Sequence, residues 1–216
     1  MWSFLNTIRC KEKQVPVRKQ IIDTGMILFL GIVLGIFSKF LDTTASNDLP
    51  FMFEYLDVGN FLGRLAIWIL LAVSISIYSS SSVRAAINVF LFFGGMCVSY
   101  HVYTVVFAGF NPRSYMMIWY GITILSPMLA FVCWYAKGKG NISFVFSAII
   151  LAVLFNLTFA YGWIYFDVRS ILELITFICG VVVLKRNTLK ESIIMLVSGI
   201  VIAFILRMIV PFIFVI

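Results

Sequence analysis

The chain has 216 residues, 62% hydrophobic and 12% charged, with a mean hydropathy of +1.08, against roughly half apolar and a quarter charged in an ordinary soluble domain. Each crossing of the roughly 30 Å hydrocarbon core takes about 20 mostly apolar residues, so this length supplies six or seven helices and excludes an appended catalytic module, a nucleotide-binding cassette or a large extramembrane receptor. The surplus charge of +7 belongs on a cytoplasmic rim, because short loops rich in Lys and Arg stay on that side; nucleic-acid binding is the weaker reading and no nucleic-acid partner is expected.

Residues 1–20 read as a basic cytoplasmic segment, and 21–216 as a single transmembrane helical domain. The apolar core starts only after Ile21, runs longer than a signal-peptide h-region and has no small-residue cleavage site behind it, so the first helix is expected to stay as an anchor. Asp23 either pairs with Arg18 or Lys19 or caps that helix, and the cap is the simpler reading. The fold class is all-α, a polytopic bundle of about seven helices predicted at 21–41, 60–78, 86–107, 115–136, 142–163, 166–184 and 193–216. The sixth is short and carries Asp167, Arg169 and Glu173 in its first turns, so the fifth and sixth can instead form one tight helical hairpin of uneven depth, which leaves six spans.

Orientation follows from the basic residues. Arg9, Lys11, Lys13, Arg18 and Lys19 precede the first helix, and Arg84, Lys137, Lys139, Lys185, Arg186 and Lys190 fall in every second connection, 11 of the 16 Lys and Arg in all. The opposite connections carry only Arg113 and Arg169, and the loop 42–59 has Asp42, Asp48, Glu54 and Asp57 with no base. This predicts a cytoplasmic N-terminus and an extracytoplasmic C-terminus. Tyr115, Trp119, Tyr161, Trp163 and Tyr165 fall at the outer ends and Tyr78, Trp134 and Tyr135 at the inner ends, as interface belts do. Within 42–59, the run from Phe51 to Asp57 mixes apolar and acidic residues as a short interfacial helix would, either a plain connector or a cover over an outward opening.

In lipid, helices associate through small residues that let backbones approach. Spacings of three and four align Gly31, Gly35, Ser38 and Asp42 on the first helix and Gly94, Cys97, His101 and Thr104 on the third. They also align Thr123, Ser126 and Ala130 on the fourth, Ala148, Ala152 and Asn156 on the fifth, Glu173, Thr176 and Gly180 on the sixth, and Gly199, Ala203 and Arg207 on the seventh. Gly31, Gly35, Gly94, Gly180 and Gly199 are the expected packing glycines. Close packing explains the small residues but not the ionisable ones, which are costly at membrane depth and face a bundle interior or a wet cavity.

Arg207 is the most informative of these, well inside the seventh helix. Glu173, His101 and Asn156 fall in the same outer half, with Lys39 and Arg64 near the outer rim, and together they form a candidate ligand site. The plainer account is a buried Arg207–Glu173 ion pair holding the last two helices together. His101 is the only histidine; it is either a proton-transfer group or a satisfied core residue. Pro127 removes a backbone donor and frees the carbonyl of Thr123, a kink that Ser126 can satisfy and a candidate hinge. No cofactor and no metal are expected, since Cys10, Cys97, Cys133 and Cys179 are scattered and no Cys/His ligand spacing is present. Neither Ser79–Ser82 nor Gly138 and Gly140 have the spacing of a phosphate-binding loop.

The run Gly31–Lys39 can be laid on Ala148–Asn156, which would make the first three and last three helices parallel repeats. The middle quarter of the chain, with Phe92-Phe93-Gly94-Gly95-Met96, Tyr100-His101-Val102-Tyr103-Thr104, Gly109-Phe110-Asn111-Pro112-Arg113-Ser114-Tyr115, Ser126-Pro127 and Trp134-Tyr135-Ala136-Lys137-Gly138-Lys139-Gly140, resembles a family of small uncharacterised multi-pass membrane proteins of bacteria. The resemblance implies a bacterial inner or plasma membrane location and carries over no functional residue.

Three functions compete. The first is a small-solute transporter or membrane-embedded substrate-binding subunit, with an anionic solute on Arg207 and, as in substrate-capturing subunits of vitamin uptake systems, a partner docked on Gly31 and Gly35. The second is a non-catalytic assembly, immunity or regulatory subunit that contacts a membrane partner or a second copy of itself. The third is an intramembrane enzyme using His101 and Glu173 for proton transfer and Arg207 for an oxyanion. The lipid bilayer is a partner in all three.

Overall fold

A backbone in hydrocarbon must satisfy its own N–H and C=O groups, which leaves the helix as the default for each apolar run. The computed structural model of the chain describes residues 7–10, 15–162 and 164–209 and is helical almost throughout. Its helices are α1 (Val17–Thr43), α2 (Phe51–Tyr55), α3 (Val58–Gly63), α4 (Leu65–Tyr78), α5 (Ser82–Phe107), α6 (Arg113–Trp134), α7 (Gly140–Thr158), α8 (Ile171–Leu184) and α9 (Leu189–Ile209). A short antiparallel hairpin, β1 (Phe159–Tyr161) with β2 (Phe166–Val168), joins α7 to α8.

Five of these helices, α1, α5, α6, α7 and α9, are long and apolar enough to cross a membrane. The other two apolar helices, α4 and α8, have 14 residues each, about 21 Å at 1.5 Å per residue, short of the hydrocarbon thickness. The expected stretch 60–78 is interrupted because Arg64 leaves the helix with φ −96° and ψ 160°. The expected stretches 142–163 and 166–184 give up their adjoining ends to the hairpin. Phe159 and Tyr161 alternate with Ala160 on a strand, and the turn closes with the Gly162 N–H donating to Tyr165 O at 2.9 Å. Rings explain the hairpin: Phe159 packs against Phe155 at 4.5 Å and Phe177 at 5.6 Å and stacks on Phe166 at 5.2 Å, a contact seven residues along a continued helix would not make. The expected span 193–216 is present as far as Ile209; its remainder, Trp163 in the outer belt, and Lys11 and Lys13 lie outside the described residues. Asp23 does not cap α1, which starts at Val17 after Pro16.

Contacts divide the chain into two compact units, one of residues 11–55 and 75–134, the other of 1–10, 56–74 and 135–216.

In the unit built on α1, α5 and α6, α5 packs on both others. Backbones touch at glycine: a Cβ on Gly31 would collide with Phe92 O, and one on Gly35 with Met96 O and Ser99 Oγ. Gly95, rather than the expected Gly94, is the α5 glycine in contact, with Leu28 O 3.0 Å from its ideal Cβ, while Gly94 meets nothing within 4 Å. One residue turns a helix face by about 100°, enough to move the contact. We expect Gly35→Leu to lower the thermal midpoint in detergent by overpacking, a cost of about 1–3 kcal/mol, and Gly94→Ala to leave it unchanged or slightly raised. Cys97 and Thr123 join α5 to α6 at 3.3 Å. At Pro127 the freed carbonyl of Thr123 accepts from Ser126 Oγ at 2.8 Å.

In the other unit, α7 is the central helix, packed against α8 and α9. Gly199 of α9 lies against Ala148 O and Leu151, and Gly180 of α8 against Leu154. α2, the short helix expected within 42–59, belongs to the unit of α1, α5 and α6 and buries none of its residues.

Candidate functional site

A carboxylate at membrane depth needs a cation, and which cation it takes decides what charge is left over. Ser170 opens α8, its Oγ accepting from the Glu173 N–H at 3.3 Å, so Glu173 sits in the first turn, where the helix dipole favours a negative group. Glu173 is 0% exposed. Both its oxygens accept from Nη1 of Arg64, at 2.9 and 3.1 Å. Arg64 occupies the break between α3 and α4, and that break brings a cation to α8 from the second apolar stretch. The expected Arg207–Glu173 pair is therefore replaced by an Arg64–Glu173 pair. Arg64 uses a single nitrogen for both bonds and keeps its side chain 37% exposed, so its remaining N–H groups face outward.

Arg207 lies in the last described turn of α9. Its guanidinium stacks on Tyr161, 4.2 Å from the ring centroid, a cation–π contact. Its Nη1 is buried and has no hydrogen-bond partner among the described residues. The hairpin holds Tyr161 in place: its hydroxyl donates to Asn156 Oδ1 at 2.6 Å, and Asn156 Nδ2 donates to Ala203 O at 3.0 Å. Tyr161→Phe keeps the ring under Arg207 but strips the fully buried Asn156 oxygen of its partner. It is expected to cost about 1–3 kcal/mol in denaturant unfolding without changing any ligand response.

Arg169 adds a third guanidinium. Its backbone N–H donates to Thr158 O at 3.0 Å, and Thr158 Oγ1 in turn donates to Glu173 O at 3.1 Å. Arg64 occupies both oxygens of the Glu173 carboxylate. Asp167, the nearest acid in sequence, is exposed and accepts from the Val168 N–H.

Lys39 and His101 belong to the other unit and form separate networks there. Lys39 is 3% exposed, with Nζ 2.5 Å from Asp42 Oδ2 and 5.1 Å from the ring centroids of both Tyr100 and Phe110. Tyr100 donates to the same Asp42 oxygen at 3.1 Å. His101 has Nδ1 2.8 Å from the Tyr120 hydroxyl and Nε2 3.1 Å from Asn111 Oδ1. One tautomer satisfies everything: Nε2–H donates to Asn111, and Nδ1 accepts from Tyr120. This is a satisfied histidine, with no ring nitrogen left for a substrate.

Sequence reasoning missed Tyr161 and Arg169 as site residues. The signal for Tyr161 was its position five residues after Asn156 in a run of rings around Gly162. A further network was also missed, in which Asn88 accepts from Thr24 Oγ1 at 2.7 Å and donates to Ser79 Oγ at 3.1 Å, with Arg84 on Thr24 and on Gln20 O.

No protein family, curated protein or solved structure matches the chain. Among the described residues around Glu173 the chemistry on offer is guanidiniums in excess and one occupied carboxylate; in the Lys39 network Asp42 is likewise occupied.

Proposed function

We propose that this chain captures a small anionic solute from the outer side of a bacterial inner or plasma membrane, as a carrier or as the membrane-embedded binding subunit of an uptake system. In this reading it crosses the membrane seven times with its N-terminus in the cytoplasm, α3 leading into α4 and the β1–β2 hairpin leading into α8 to complete the two short crossings. The site is the group of Arg64, Arg169 and Arg207 around Glu173, with Tyr161 and Asn156 as its frame. The observation that carries it is the buried Arg207 Nη1, which has no described hydrogen-bond partner while both oxygens of Glu173 are engaged by Arg64. A carboxylate or phosphate oxygen there would supply the missing acceptor, and a charge-assisted bond of this kind is about twice as strong as a neutral one. Catalysis on His101 and Glu173 is the poorer account, because the first has both nitrogens engaged and the second is ion-paired.

Reconstitution tests the proposal. Liposomes carrying the protein and loaded with an unlabelled carboxylate or phosphate should exchange it for labelled solute if the chain is a carrier, or retain label on the protein without flux if it is a binding subunit. Neither flux nor retention for any small anion would reject the proposal in favour of an assembly or regulatory subunit.

A further inference from the structure

A positively charged cavity lies at the opposite end of α7 from Asn156, where the connection 185–188 between α8 and α9 passes the start of α7. It encloses about 400 Å³ and is lined by Lys137, Lys139, Lys185 and Arg186, with Phe144 and a single acid, Glu191. Two of the cations build its walls. Lys137 Nζ donates to Val183 O at 2.8 Å and Lys185 O at 2.6 Å, tying down the end of α8. Arg186 Nη1 donates to Ala136 O at 3.2 Å, Gly138 O at 3.3 Å and Ser143 Oγ at 3.0 Å. The other two are free to act on something else: the exposed Lys139 and Lys185 ammonium groups make no hydrogen bond or ion pair among the described residues.

The start of α7 adds to this charge. Lys139 is its N-cap, with no side-chain cap bond, and Ser143 Oγ is bonded back to Ala136 O and Gly138 O. The positive end of a 19-residue helix thus lies beside four cations, an arrangement that favours an anion. The floor is preset: the Lys139 N–H donates to Ile8 O at 2.7 Å, and Gly138 lies so close to that carbonyl that a Cβ would stand 2.5 Å from it.

We propose that this cavity binds a phosphate group, carried either by the headgroup of an anionic phospholipid or by a free phosphate compound. The two wall cations fix its shape, Lys139 and Lys185 close on the phosphate oxygens, and Phe144 offers an apolar surface to what the phosphate is attached to. The inference stands apart from the outer site, with which it shares no residue.

The test uses full-length protein in nanodiscs of phosphatidylcholine, probed with inorganic phosphate in solution, and in nanodiscs that also contain phosphatidylglycerol. Retention of phosphatidylglycerol is read by native mass spectrometry and phosphate binding by thermal shift, for the wild type, the double variant K139Q/K185Q, the single variant K185Q, and K190Q as a reference. We expect K139Q/K185Q to bind about thirtyfold more weakly, K185Q to fall between it and the wild type, and K190Q to match the wild type. Binding of phosphatidylglycerol alone would identify a lipid headgroup, and binding of inorganic phosphate alone a soluble compound. The proposal is overturned if the wild type binds neither probe, if K139Q/K185Q binds as tightly as the wild type, or if K190Q weakens binding as much as the double variant, which would reveal a diffuse basic surface.

Discussion

Arg64→Ala is expected to destabilise the protein by about 3–5 kcal/mol, because it strips a fully buried carboxylate of its cation. Glu173 is 0% exposed and takes both its hydrogen bonds to Arg64 from one nitrogen, so a single substitution removes both. Glu173→Gln should cost less, since Arg64 is 37% exposed and can turn to water. The double variant should recover part of the loss, a coupling that independent sites would not show. Denaturant unfolding in detergent measures all three. Equal and additive losses would mean that the pair contributes nothing beyond two separate side chains.

Arg207→Ala is expected to have the opposite character, with a small change in stability and complete loss of ligand response. The substitution gives up a cation–π contact of about 0.5–2 kcal/mol but also removes a buried donor with no described partner, which offsets much of that. A ligand at a hundred times its dissociation constant stabilises by about 2.7 kcal/mol, and this whole increment should vanish. Arg207→Lys keeps the charge without the planar fork that stacks on Tyr161 and should respond only weakly. Glu173→Gln removes the only carboxylate among the guanidiniums and should respond at least as strongly as the wild type, although its fold is weaker. Stability and ligand response therefore separate cleanly between Glu173 and Arg207.

The five long helices were legible in the sequence because twenty or more apolar residues bounded by Lys, Arg and Pro leave lipid-exposed backbone no alternative to helix. Gly31 and Gly35, four residues apart, marked the face α1 turns to α5, and Ser126 before Pro127 marked the freed carbonyl of Thr123. Arg64, Asn156, Glu173 and Arg207 were recognisable as misplaced in an apolar bundle, and all four fall in one unit. What was not legible was pairing. Glu173 selects a partner 109 residues away in sequence, and only the break in the helix before Leu65 brings Arg64 to it. The hairpin escaped for a related reason: Phe159 to Val168 reads as the end of one apolar helix and the start of another until the rings of Phe155, Phe159, Phe166 and Phe177 are seen packed together.

The most direct test of the outer anion site is the thermal midpoint of the purified wild type, screened against small carboxylates and matched cations, with Arg207→Ala and Glu173→Gln run alongside. At least one anion should raise the midpoint of the wild type and of Glu173→Gln and leave Arg207→Ala unmoved, while cations move none of them. If no anion moves the wild type, or if Arg207→Ala responds as fully as the wild type does, the guanidinium cluster is not a solute site.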